Sequence, residues 1–384
     1  MPLKHLDYYG KWLLTNLIKV LFIIPIKKRT ILFISFNGKQ YSCNPKYISE
    51  HIESSPSFNG TTIVWAFQNP QQFEFLTERG IKTIKNRSLQ YIYYRLVCSA
   101  YITNMGEMPT LPTRKSQLYI NTWHGGGCYK RCGLQNASKE HDKFYVMKMK
   151  NSFARATHFL SSCNAFSKKV IKESFLFQKD IIEAGLPRND IFFKDQSGIK
   201  EKVYKHFQLD ADVRLCLYAP TYREIGKLYD SKLAFEQLTQ CLSKRFGGLW
   251  KVLYRSHQFL DEKEVKHHVI SASNYPDMQE LISASSILIT DYSSCLWDAM
   301  LAKDKIFLYV PDLDDYKNKR DFYVPIKEWG LSISKNNKEL AENIENFNQK
   351  AYDLSIKKHL ETLGSFENGH ATEEVCKIIV EHFK

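Results

Sequence analysis

The feature that most constrains this chain is an alternation, repeated in two series, of short β-branched or aromatic runs with longer runs of helical periodicity. Strands and helices that alternate in this way build a parallel α/β sheet. In the first series, residues 30–36 (TILFISF) predict a buried strand ending in the turn Asn37-Gly38, and residues 45–54 predict a helix. Further strands are expected at 61–67, 82–85, 100–103, 118–122 and 158–161, with helices at 88–98 and 162–174. The second series places strands at 213–218, 250–254, 267–271, 286–290 and 305–310, and helices at 233–246, 277–283 and 293–302. The polar stretch 195–212 reads as a linker. Hydrophobic residues make up 43% of the 384, which supplies sizeable cores and excludes a chain that is mainly disordered. The expectation is α/β, with two Rossmann-like domains, 29–200 and 201–384, facing a central crevice behind an N-terminal segment 1–28.

That segment is apolar from Tyr9 to Ile26, yet Lys11, Thr15 and Lys19 recur every fourth residue. The spacing draws a polar stripe along one helix face and leaves Trp12, Leu13, Leu17, Val20, Leu21 and Ile24 elsewhere. Asn16 and Lys19 interrupt the apolar run and Pro25 closes it, so there is no stretch of about 18–20 uncharged residues to cross a bilayer. No small-residue cleavage site follows, as a secretory leader requires. With Lys27-Lys28-Arg29 behind it, the helix reads either as a peripheral anchor on the cytoplasmic membrane face or as an amphipathic helix packed on the protein's own core.

The net charge of +13 is localised. Residues 1–30 hold six basic residues against one acidic, and residues 81–150 hold twelve against three. A localised basic surface suits anionic lipid or a phosphorylated substrate. It would also suit nucleic acid, but no helix-turn-helix, zinc-finger or RNA-binding motif accompanies it, so nucleic acid is not an expected partner. Nine scattered cysteines, an odd number, do not read as a disulfide framework and favour a reducing, cytoplasmic-side environment.

In doubly wound folds ligands sit at the carboxyl ends of strands, which gives weight to four polar clusters just after expected strands. The first is Thr122-Trp123-His124-Gly125-Gly126-Gly127, with Lys130 and Arg131 close behind. Its glycines let backbone approach a ligand, and His124 either removes a proton from a substrate hydroxyl or hydrogen-bonds a loop. The second, Thr221-Tyr222-Arg223-Glu224, offers Arg223 as a bidentate phosphate clamp or as half of a surface ion pair. The third, Tyr254-Arg255-Ser256-His257, suits a diphosphate or salt-bridged edge residues. The fourth, Thr290-Asp291-Tyr292-Ser293-Ser294, precedes a helix, where hydroxyls and backbone N–H groups can cap, bind an anion, or both. Asp312-Leu313-Asp314 reads as a loop turn rather than a metal site, and no Walker loop, GxSxG elbow or His-Glu-x-x-His is present. The clusters point to a phosphate-rich donor, a histidine base, and neither an obligatory metal nor another cofactor.

Together the clusters resemble the CDP-glycerol glycerophosphotransferase family of teichoic acid and capsule synthesis. The resemblance rests on Phe33 to Lys39 with Ser42-Cys43-Asn44-Pro45-Lys46, on the Trp-His-Gly loop at 121–133, on 219–224 and on Arg255 to His257. It extends through the run 289–325, with Asp291-Tyr292-Ser293-Ser294 and Arg320-Asp321-Phe322-Tyr323, to Asn368-Gly369-His370-Ala371. The chain departs from the common pattern at Gly126-Gly127, Cys43 and Asn368. The resemblance implies a GT-B-like fold and transfer of a polyol phosphate from a CDP-activated donor, CDP-glycerol, to a lipid-linked saccharide or growing polymer at an anionic membrane surface. It implies His124 as general base, with His257, Arg255, Arg223, Ser293 and Ser294 holding the donor diphosphate. Gly125, Gly126, Lys130, Arg131, Thr221, Thr290, Asp291 and Arg320 complete the expected substrate-binding set. A CDP-ribitol or nucleotide-sugar donor on the same fold, and a catalytically idle partner in polymer assembly, are the alternatives.

Overall fold

The computed structural model describes residues 3–106, 111–136, 143–221, 233–255 and 269–384. Their contacts divide the chain into two compact units. One comprises Met1–His124, Cys132–Asp190 and Phe366–Lys384, and the other Gly125–Arg131 and Ile191–Ser365.

The first unit opens with α1 (Leu3–Ile18) and a 3₁₀ turn, Lys19–Ile23. There follow β1 (Lys27–Ile34), α2 (Cys43–Ser54), β2 (Thr62–Phe67), α3 (Glu74–Glu78), β3 (Lys82–Lys85), α4 (Leu89–Val97), β4 (Cys98–Thr103), β5 (Leu118–Asn121), α5 (Lys143–Phe153), β6 (His158–Ser161), a wide π-type helix Phe166–Ser174, and β7 (Asp180–Glu183). The strands form one sheet in the order β3-β2-β1-β4-β5-β6-β7, each pair parallel. Ile31 to Ile34 of β1 are all buried, without alternation, because helices cover both faces of a parallel sheet. Strand β1 begins at Lys27, which pairs with Cys98, so the basic triplet expected to trail the N-terminal helix lies in the sheet.

The core of this unit packs Ile31, Phe33, Trp65 and Ile120 against Ile48 of α2 and against Val375 and Ile379 of the C-terminal helix Ala371–Phe383. The expected second domain, 201–384, included that helix. Its apolar positions Ala371, Val375, Cys376 and Ile379 share one face, and burying that face ties it to the first sheet. Asp190 secures its start, accepting from the backbone N–H of Ala371 at 3.0 Å and of Thr372 at 2.8 Å.

The second unit contains α6 (Ser197–His206), β8 (Val213–Ala219), α7 (Phe235–Phe246), β9 (Leu249–Tyr254), β10 (Val269–Ser271), α8 (Met278–Ala284), β11 (Ile287–Thr290), α9 (Cys295–Leu301), β12 (Lys305–Tyr309), α10 (Leu313–Lys319), β13 (Ser332–Ser334), α11 (Asn337–Glu345) and α12 (Gln349–Leu363). Its sheet runs β10-β9-β8-β11-β12-β13, again parallel throughout. The stretch read as a linker holds α6. Its polar residues coat an exposed face while Val203 and Tyr204 are buried, and Lys202 pairs with Glu280 of α8 at 2.7 Å. Polarity on one helix face imitates a linker when the apolar positions are few. Both sheets reverse strand order once, between β1 and β4 and between β8 and β11, and the polar clusters gather after those strands.

Candidate active site

In the first unit, β1, β4 and β5 are neighbours whose ends align, Ile34 beside Thr103 and Thr103 beside Asn121. The next residues of each strand, Ser35, Asn104 and Thr122 to His124, therefore emerge together. His124 is half-buried and its Nδ1 lies 2.9 Å from the main-chain oxygen of Asn104. A carbonyl oxygen only accepts, so this contact puts the proton on Nδ1 and makes Nε2 the basic nitrogen. Asn104 is itself fixed: its Oδ1 accepts from the Phe36 N–H at 2.8 Å and its Nδ2 donates to Ser35 Oγ at 3.1 Å. The Phe36 ring meets the imidazole edge-on, 5.7 Å between centroids. Held in this way by a main-chain acceptor and an aromatic edge, the imidazole can accept a proton at Nε2.

The chain passes into the second unit directly after His124. Of the glycines that follow, Gly126 and Gly127 pack closely against neighbouring side chains. A Cβ on Gly126 would meet the buried indole of Trp297, 2.8 Å from Cγ, and Gly127 has φ +64 with Trp297 again 2.8 Å from a Cβ. Close approach of backbone was expected here, and at Gly126 the group approaching the Cβ side is Trp297 of α9. Beyond them Lys130 bridges Phe322, and Tyr323 N–H donates to the Tyr129 oxygen at 2.7 Å. Arg131 donates from Nε to the Phe322 oxygen at 3.1 Å and pairs with Asp321 at 3.3 Å. Arg320 Nε returns a bond to the Arg131 oxygen at 3.3 Å. The structure thus stitches Lys130 and Arg131 to the segment 320–323, with Arg131 and Arg320 half-buried.

At the switch of the second sheet, Thr290 pairs with Ala219. The Thr290 hydroxyl is wholly buried and donates to the Ala219 oxygen at 2.7 Å, so it joins strand ends rather than lining the surface. Asp291 is buried too. Its Oδ1 accepts from the N–H groups of Thr221 at 2.8 Å and Tyr292 at 2.5 Å, which clamps the loop after β8 to the loop after β11. Thr221, Ser293 and Ser294 are half-buried at the rim. Helix α9, expected over 293–302, runs only Cys295–Leu301; Ser293 Oγ accepts from Cys295 N–H at 3.4 Å and Ser294 makes no cap bond. On the neighbouring strand, Arg255 donates from Nη1 to the oxygens of Tyr275 at 2.7 Å and Ala272 at 3.3 Å. Burial disfavours its charge and lowers its pKa, opposed by nearby Asp277. Arg223 and His257 lie outside the described residues. Asp312 and Asp314 take separate partners, the Tyr292 hydroxyl at 3.0 Å and Lys335 at 3.2 Å.

Sequence reasoning did not single out Asn104 or Arg188, which lie around His124, and named Asn44 only within the motif Ser42 to Lys46. Their signal was faint: Asn104 sits just past an expected strand end, while Arg188 lies in the turn Gly185-Leu186-Pro187-Arg188, which no strand pattern singled out.

The chain is 29% identical to the teichoic acid poly(glycerol phosphate) polymerase of Bacillus subtilis (strain 168) over 98% of its own length and spans about half, 52%, of that relative. It is 25% identical to the polymerase of the same description from Bacillus spizizenii, covering 94% of each chain. Among solved structures, the wall teichoic acid polymerase TagF superposes with a TM-score of 0.81 at 26% identity, covering 99% of this chain and 97% of that one. The likeness embraces both parallel-sheet α/β units, as a GT-B-like fold requires. The CDP-Glycerol:Poly(glycerophosphate) glycerophosphotransferase family matches residues 16–381, and the chain belongs to it.

Proposed function

We propose that the protein transfers glycerol phosphate from CDP-glycerol to a hydroxyl of a membrane lipid-linked saccharide or a growing teichoic acid or capsule polymer, releasing CMP. The observation that carries this reading is the His124 imidazole, with Nδ1 on the Asn104 oxygen and Nε2 as the base. Nε2 takes the proton of the acceptor hydroxyl as its oxygen bonds to the phosphorus that bears glycerol. The bond from that phosphorus to the bridging oxygen breaks, and CMP leaves with the electron pair. Arg223, Arg255, His257, Ser293 and Ser294 are assigned to the diphosphate, where cations and donors offset the growing charge. Lys130, Arg131 and Arg320 extend this positive lining. A variant of the similar TagF has been soaked with CDPG, which supports the donor class.

The membrane-facing part of the proposal is a peripheral anchor at the cytoplasmic face. Trp12, Leu13, Leu17 and Ile23 are exposed along α1 and the turn after it, Ile23 at 87%. Among the described residues no helix is long and apolar enough to cross a membrane. A large apolar face beside Lys27 and Lys28 suits an anionic interface, and the basic stretch 81–150 suits an anionic acceptor.

The test is CMP release by purified protein offered CDP-glycerol, CDP-ribitol or UDP-sugars, with membrane extract as acceptor. Release from CDP-glycerol alone, nearly abolished in His124→Ala while donor binding persists, is expected. Release from another donor renames the substrate, and silence with every donor overturns the assignment of an enzyme.

A further inference from the structure

Three consecutive carbonyl oxygens in the turn that carries His124 are held by two buried side chains from distant segments. Asn44, fully buried in the first turn of α2, donates from Nδ2 to the oxygens of Thr122 and Trp123, each at 3.1 Å. Arg188, 3% exposed, donates from Nη1 to the His124 oxygen at 3.0 Å. The two are joined, since Asn44 Oδ1 accepts from the Arg188 N–H at 3.2 Å. The turn needs this support. Trp123 has φ +50, a conformation a bulky residue keeps only when its surroundings over-determine it.

The segment bearing Arg188 is braced in turn by the C-terminal residues. Glu367 accepts from the Leu186 N–H and from Asn189 Nδ2, both at 3.0 Å, and Asp190 caps the C-terminal helix. A buried guanidinium is a costly way to bind a carbonyl, and its fixed fork is suited to holding geometry.

We propose that Asn44 and Arg188 are positioning residues for His124. By fixing the oxygens of 122, 123 and 124 they hold the imidazole so that Nδ1 stays on the Asn104 oxygen and Nε2 stays aimed as the base. The proposal rests on His124 being that base.

Asn44→Asp keeps the shape and the acceptor for Arg188 N–H but has no N–H for the two oxygens. Arg188→Met keeps apolar length without donors, and Arg188→Lys restores one. Asn44→Asp and Arg188→Met are each expected to lower kcat by about 100-fold, the scale of an ångström's misplacement, with the CDP-glycerol KM unchanged. Arg188→Lys should recover part of the loss. In a His124→Ala background, adding Asn44→Asp should leave the residual rate unaltered, because residues acting through one group are not additive. Spectra of histidine-labelled protein provide a readout independent of turnover. The resonance missing in His124→Ala should report an Nδ1–H tautomer in the parent and a mixture in the Asn44 or Arg188 variants. Parental kcat and tautomer in those variants, with His124→Ala inactive, would overturn the proposal and leave the base assignment standing. Parental turnover in His124→Ala would remove both. If Asn44→Asp does not fold, the two Arg188 variants carry the comparison.

Discussion

The indole of Trp297 lies in the space that a side chain on Gly126 would need, with Cγ 2.8 Å from the position of a Cβ. Trp297 is wholly buried on α9, directly after the Asp291 to Ser294 loop, so the glycine run and the loop are packed as one piece.

Gly126→Ala should therefore lower stability by about 1–3 kcal/mol, the usual cost of overpacking a filled site. Denaturant titration would check this. Adding Trp297→Leu should make the glycine substitution cheaper than it is alone; equal costs in both backgrounds would mean that the indole does not set the constraint.

Asp304, just before β12, is buried, and its Oδ2 has no hydrogen-bond partner among the described residues. Burial raises its pKa well above the ordinary carboxylate value, with Lys305 opposing the shift. As pH rises through about 4, the unfolded chain releases a proton that the folded chain retains, so folding loses stability. Asp304→Asn should raise the melting temperature at pH 7, and the gain should shrink to nothing below about pH 4.

Asp190 caps the C-terminal helix with both carboxylate oxygens. Asp190→Ala should cost about 1–2 kcal/mol, as loss of a helix cap does. Hydrogen exchange should show the loss as faster exchange across 371–383, with the second unit's strands unchanged.

Removing residues 1–26 deletes the exposed Trp12, Leu17 and Ile23. Co-sedimentation with phosphatidylglycerol vesicles should fall by about tenfold or more, as expected when an interfacial apolar face is lost. Retained binding would transfer the membrane contact to the basic 81–150 surface.

Most strands of both sheets were legible because their signal is local, while the short edge strands β7 (Asp180–Glu183) and β13 (Ser332–Ser334) were not expected. A run such as Ile31 to Ile34, buried on both faces, shows itself as an unbroken apolar segment. His124 and the loop at 290–294 could be singled out as candidates because polar residues after a strand lie at the ligand edge of an α/β sheet. Helix α6 was misread because so few of its residues are buried. Arg223 and His257, drawn from the sequence alone, remain assignments by motif.

By itself the sequence determined the α/β class, the two series of strands and the placing of His124 at a strand end, all consequences of periodicity along one stretch of chain. Only the tertiary structure decided that the C-terminal helix belongs with the first sheet. It alone decided that Gly126 makes room for Trp297, that the Thr290 hydroxyl faces the Ala219 oxygen, and that Asn44 meets Arg188 144 positions away. Each of these is a contact between residues far apart in the chain. Strand order and the burial of particular faces bring such partners together, and no local pattern of residue types encodes them.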